Sequence, residues 1–417
     1  MTPPATAWPP GPTCTPKKES EETMPKIESV DLFYVSMPVV EDISDGSQDA
    51  LLVRVSAGGK VGWGEAEAAP LPSIASWIAP MSHGFCHPIK TSVMGQELNS
   101  PEDIKRINDT VKRRSLDILQ TDHTLSGIDE ALWDLLGHMR QEPVWKILGY
   151  KKSWPKTPYA SQLFGLTPQE TLNKAKAVVA DGYRASKFGW SNFGMTTVKD
   201  DADHLMAARE GLGKDGILLV DAGCVFGDDV ERAAKRLPAL KEAKATWYEE
   251  PLDRDALTEF KALSKKTPKV KLAGGEGAYT YLMAKQMMDI AGLSFIQIDA
   301  GRIGGITPAK QAADYAKKKG VTFVNHTFTS HLQLSASLQP YAGMKDHEIC
   351  EYPVELKTVA KAITRNQIGR DKNGQVRAPD APGLGMEVDA DALKPFLVDV
   401  SIKVGGKSLY ETPVLRK

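Results

Sequence analysis

Seven residues of the types that perform acid–base and metal chemistry recur along the chain at intervals of one strand–helix unit. They are Lys187, Asp221, Glu249, Glu276, Asp299, His326 and Glu351, spaced 23 to 34 residues apart. Each stands at the end of a short apolar run of β character. In a closed parallel barrel the C-terminal ends of the strands converge on one mouth, so residues remote in sequence come to share one site. Asp221, Glu249 and Glu276 would then end three neighbouring strands, and three carboxylates at one point repel unless a cation lies between them. An all-oxygen donor set, with no thiolate or imidazole, favours Mg²⁺ over Zn²⁺. Lys187 falls on one flank of this metal position and His326 on the other. Asp299 beside His326 would fix its tautomer and raise its basicity. A metal with a base on each side suits removal of a proton α to a carboxylate, the ion stabilising the enediolate. Either Lys187 or His326 can take that proton on this reading. His331 rivals His326, but His326 directly follows the apolar run VTFVN.

The elements that must position these residues are legible in the periodicity. Runs at 159–163, 217–221, 246–249, 270–275, 294–299, 321–325 and 348–350, with one ending at Lys187, alternate with helical patterns such as PQETLNKAKAVVADG and PAKQAADYAKKKG. Eight β runs separated by helix-like segments imply parallel pairing and a (β/α)8-type barrel over 151–385. The last unit is truncated, since 356–385 is polar and interrupted by Gly and Pro. Upstream, 25–150 reads as an α+β domain. IESVDLFYV, ALLVRVSA and VGWGEAEA alternate like antiparallel strands, Gly58-Gly59 forms a hairpin turn, and helices are predicted over 101–118 and 126–148. Residues 1–24, rich in Pro, Thr and charge, read as a disordered tail. GRIGG at 301–305 and GGEG at 274–277 match no dinucleotide or Walker fingerprint. GRIGG reads either as an anion-binding nest at a helix N-terminus or as a tight turn.

Composition sets the outer bounds. A chain of 417 residues holds two to three domains at about 150 residues each. Lys and Arg number 52 against 53 Asp and Glu, a balance that argues against nucleic-acid or polybasic membrane binding. No apolar stretch reaches transmembrane length and no signal peptide is read, so the expected location is cytoplasmic. The four cysteines form neither a CxxC pair nor a disulfide framework.

These motifs taken in order resemble the enolase superfamily, and within it the mandelate racemase-like sugar-acid enzymes. The likeness rests on GIDEALWDLLGHMRQEPVWKILG, SKFGW, LLVDAG, YEEPL, GGEG, IDAGRIGGIT, NHTFTSHL and PGLGMEV, and extends from about Ile27 to Val404. It implies a modified (β/α)7β barrel beneath an N-terminal capping domain, which the last strands near 396–404 complete. Val39–Gln48 and the stretch after Glu65 would be the loops that close over the mouth. It further implies that Asp221, Glu249 and Glu276 hold Mg²⁺, with Glu250 behind them or pointing elsewhere. Lys187 would be the second lysine of a KxK motif, and Asp299–His326 an acid–base dyad. Glu351 would hydrogen-bond the substrate carboxylate. Two positions depart from the pattern: Ala185 replaces the first lysine of KxK, and Gly223 replaces an asparagine common after the first ligand. The implied activity is dehydration of a sugar acid to a 2-keto-3-deoxy acid. The alternative is a racemase, epimerase or cycloisomerase acting through the same enediolate. The expected partners are a small sugar acid and further copies of the chain.

Overall fold

The computed structural model describes residues 24–416, except 68 and 268. The predicted tail, apart from Met24, lies outside the described residues. The chain first forms an antiparallel sheet of β1 (Ile27–Ser36), β2 (Asp49–Ala57) and β3 (Lys60–Ala66). Ala57 pairs with Lys60 across Gly58 and Gly59, both at positive φ, as the two-residue hairpin requires. The Thr121–Arg140 helix lies directly on β3. A Cβ at Gly62 would stand 2.3 Å from the Ala131 carbonyl oxygen, and one at Gly64 2.2 Å from that of Gly127, so only glycines permit this approach.

Two predicted helices are shorter than their apolar pattern. The first is Pro101–Arg114, opened by a Ser100–Asp103 capping box. The second spans Thr121–Arg140 and stops at Gln141, which takes a left-handed φ of 53°. Pro143 follows, and a separate turn, Val144–Ile147, carries the remaining apolar residues. Helices rarely continue through the residue before a proline, so the pattern outlasts the helix.

Eight parallel strands form the barrel: β4 (Thr157–Leu163), β5 (Ala185–Gly189), β6 (Ile217–Asp221), β7 (Trp247–Glu249), β8 (Lys271–Gly274), β9 (Phe295–Asp299), β10 (Thr322–His326) and β11 (Ile349–Pro353). Pairing runs β10-β9-β8-β7-β6-β5-β4-β11. Between β10 and β11 a side chain makes the closure. The Asn325 amide accepts from the Glu351 N–H at 3.0 Å and donates to the Glu351 carbonyl at 3.3 Å. Tyr159, Ala185, Leu219, Trp247, Ala273 and Val324 plug the interior below the mouth. The eighth unit is indeed reduced, its helix being only Thr358–Ala362.

The chain ends in a hairpin, β12 (Ser401–Val404) and β13 (Lys407–Glu411), beside the first sheet. The Val398 N–H donates to the Tyr34 carbonyl at 2.8 Å, and the Tyr410 hydroxyl to that of Leu32 at 2.5 Å. On the other side, the Thr121–Arg140 helix docks on the barrel helix Ile306–Lys319. Asp129 accepts from the Thr307 N–H at 3.0 Å, and Trp133 Nε1 donates to Thr307 Oγ1 at 2.9 Å. GRIGG is therefore a tight turn whose helix N-terminus already holds an anion, the Asp129 carboxylate. Gly305 leaves the room for it, since a Cβ there would lie 2.3 Å from an Asp129 oxygen. No helix among the described residues is long and apolar enough to cross a membrane.

Candidate active site

A cavity of about 490 Å³ opens at the C-terminal mouth of the barrel. Its floor includes Lys187, Asp221, Glu276 and His326. Ile43–Gly46 and Glu67, from the two loops anticipated in the first domain, form part of its wall. All seven singled-out residues are brought together. Not all end their strands: Lys187 is central in β5, Glu351 is central in β11, and Glu276 lies two residues beyond β8.

Asp221, Glu249 and Glu276 each present an oxygen within 4.8 Å of the others, a group that could hold a metal ion. The register sets two of them side by side, Asp221 opposite Glu249. Gly189, paired with Asp221, has no side chain to collide with its carboxylate. The Gly223 N–H donates to Asp221 at 2.8 Å, and Trp247 Nε1 donates to Glu249 at 2.9 Å from inside the barrel. Burial raises the pKa of Asp221 and, more strongly, that of Glu249, against the opposing pull of Lys187. Three buried, oxygen-only, mutually repelling donors, two of which (Asp221 and Glu276) line the cavity, fit a hard divalent cation. Glu250 also lines the cavity but stands outside this three-oxygen group. It accepts from the Gly275 N–H at 3.0 Å and from Cys224 Sγ at 3.5 Å.

Lys187 stands among carboxylates: Glu249 at 2.7 Å, Glu351 at 2.9 Å and Asp221 at 3.5 Å. Burial alone would lower its pKa, but these neighbours raise it well above the usual lysine value. The ammonium is thus the built-in counter-ion of the cluster. On the opposite flank His326 Nδ1 meets Asp299 at 2.6 Å, leaving Nε2 3.2 Å from Glu276. Burial would lower the His326 pKa. Glu276, Glu351 and the Asp299 hydrogen bond outweigh it and push the value up to about 10. Asp299 is held well below the usual carboxylate range, because contacts with His326 and Arg302 exceed the cost of burial. Glu351 bridges the two flanks: one oxygen accepts from Ser161 at 2.7 Å, the other from the Thr327 N–H at 2.6 Å. His331 begins the Ser330-capped helix His331–Leu338, away from the cavity lining. Its Nδ1 accepts from the Ile368 N–H at 3.0 Å, and burial lowers its pKa to about 4, the mark of a neutral structural histidine.

Four residues of the site escaped the sequence reading. Glu67 reaches down from the first domain to pair with Arg302, which also contacts Glu276 at 3.2 Å and approaches Asp299 at 3.8 Å. Arg302 had a signal, three residues after Asp299 within GRIGG, whereas Glu67 lies in the anticipated loop after Glu65 with nothing to single it out from its neighbours. Trp247, in TWYE, looked like an ordinary strand aromatic. Arg254 lines the cavity from the loop after β7.

With this geometry in view, the comparisons with known proteins are specific. Residues 35–149 match the mandelate racemase / muconate lactonizing enzyme N-terminal domain, and residues 170–392 match the enolase C-terminal domain-like family. The chain belongs to the mandelate racemase / muconate lactonizing enzyme group of the enolase superfamily. A solved structure from Rhodobacter sphaeroides, described as a predicted mandelate racemase, is 56% identical with a TM-score of 0.90, covering 93% of this chain and 100% of that one. The D-galactarolactone cycloisomerase of Agrobacterium fabrum is 27% identical over 81% of this chain and 88% of its own. The D-galactonate dehydratase of Variovorax paradoxus is 26% identical over 77% of this chain and 87% of its own.

Proposed function

We propose that the protein is a Mg²⁺-dependent sugar-acid dehydratase, converting a polyhydroxy acid to a 2-keto-3-deoxy acid. The observation that carries this reading is the three-carboxylate cluster flanked in one cavity by the Lys187 ammonium and the His326–Asp299 dyad. Asp221, Glu249 and Glu276 would hold the ion. Bound there, it would supply positive charge to the substrate carboxylate and to the enediolate that develops from it. Asp299 accepts from Nδ1 and thereby presents Nε2 of His326 as the proton-transferring atom. Glu276 is the foremost of the groups that raise His326, so a cation held by Glu276 would offset that pull and leave the imidazole neutral. Neutral His326 then takes the C2 proton and returns it to the departing 3-hydroxyl, so that water leaves and the enol ketonises. Lys187, kept protonated by its carboxylate neighbours, offsets negative charge on the opposite face. Glu351 keeps both flanks in register through Ser161 and Thr327.

The dehydratase and cycloisomerase relatives both support enediolate chemistry on sugar acids. A panel of acid sugars incubated with the protein and Mg²⁺ separates the two. Formation of a 2-keto-3-deoxy acid supports dehydration. Exchange of the C2 proton with solvent and no keto acid supports the isomerase. Neither product from any member sinks both readings.

A further inference from the structure

Every cation lining the reacting end of the cavity is already shared among carboxylates. Lys187 has three such neighbours and Arg302 has three. Arg254 differs: among the described residues no carboxylate pairs with it. It is nonetheless held in place. Its stem crosses Gly277, where a Cβ would come within 2.7 Å of Arg254 Cδ. Its guanidinium sits 4.4 Å from the centre of the Tyr279 ring and contacts the Tyr279 hydroxyl. Tyr279 in turn rests edge-on against His123 of the first domain, with ring centres 4.9 Å apart. An exposed arginine usually wanders. This one is stacked on Tyr279, lines the cavity, and has no carboxylate partner among the described residues.

We infer that Arg254 receives a second anionic group at the far end of the substrate. The preferred substrates are then dicarboxylic sugar acids, acyclic or with one end lactonised, rather than monocarboxylic ones. The inference rests on the sugar-acid reading above and narrows it. A guanidinium offers a planar pair of N–H donors that match a carboxylate, and a neutral hydroxymethyl terminus cannot replace that charge-assisted pair. Tyr279 holds the plane of the guanidinium by cation–π contact, which reduces the ordering cost of binding. The stack also includes a residue of the first domain, His123, whose edge-on contact buttresses the Tyr279 ring.

The test uses the full-length protein with Mg²⁺ and four six-carbon acids: galactarate and glucarate, with two carboxylates, and galactonate and gluconate, with one. Binding is read by calorimetry and turnover by kcat/KM. The wild type is expected to favour the diacids by about 10- to 100-fold, the scale of one charge-assisted hydrogen-bonded pair. Arg254→Gln is expected to erase that preference by lowering the diacid kcat/KM to the monoacid level, and Arg254→Lys to restore part of it. Equal affinity for diacids and monoacids in the wild type overturns the inference, as does a preference that survives Arg254→Gln. If none of the four acids binds or turns over, the sugar-acid reading fails and takes the inference with it.

Discussion

Two buried acidic clusters lie close together in this molecule and solve the same electrostatic problem differently. At the mouth, Asp221, Glu249 and Glu351 surround a lysine, and Asp221 and Glu276 line a cavity. At the seam between the domains, Glu65 and Glu130 are fully buried with no basic partner among the described residues. There Ser330 donates to Glu65, and Gln333 donates to Glu130 at 3.1 Å, while the Glu65 N–H also donates to Glu130 at 3.1 Å. Burial raises Glu65 to about 7 and Glu130 well above the usual value. The seam therefore compensates its acids with protons and neutral donors. The mouth compensates its acids with a fixed cation and donor atoms open to a cavity. The first arrangement holds two domains together, and the second is suited to receiving an ion and an acid.

The largest effect that would sharpen this contrast is on metal affinity. Glu249→Gln should weaken Mg²⁺ binding at least 100-fold by calorimetry, whereas Glu65→Gln should leave it within about 3-fold. Equal losses would erase the distinction, and an unchanged affinity in Glu249→Gln would shift the ligand to Glu250. Next comes Lys187→Met. Removing one partner from a buried charge cluster costs about 3 kcal/mol, so the metal-free variant should melt well below wild type, and Mg²⁺ should recover much of the loss by binding the native state. The smallest effect is the pH dependence of the seam. Glu65 has a folded pKa above its unfolded value of 4.5. Its stabilising contribution is therefore complete below pH 4.5 and is lost as pH rises through about 7. Denaturant titrations at fixed Mg²⁺ should show that decline, and Glu65→Gln should flatten it.

Most of the mouth was legible because a barrel converts sequence period into proximity. One functional residue per strand–helix unit is a local pattern, and Lys187 through Glu351 follow it. The barrel strands are legible for the same reason, and only their exact ends moved, as with the central place of Lys187 in β5. What escaped depends on contacts the period does not encode. Glu67 meets Arg302 across 235 positions, and Asp129 caps a helix beginning at Ile306. Trp247 reveals its role only when its indole N–H is seen to reach Glu249. The helix predicted over 126–148 failed for a local reason, since its apolar pattern continues through Pro143 although the backbone cannot.

On the proposed mechanism His326, fixed by Asp299, moves the C2 proton beside the carboxylate cluster. The most direct measurement is loss of deuterium from a substrate labelled at C2, followed by NMR with wild type and His326→Asn in saturating Mg²⁺. Washout is expected in the wild type, with a rate at least 1,000-fold lower in the variant and Mg²⁺ affinity largely retained. Washout at near wild-type rate in His326→Asn would contradict it and assign the proton to Lys187.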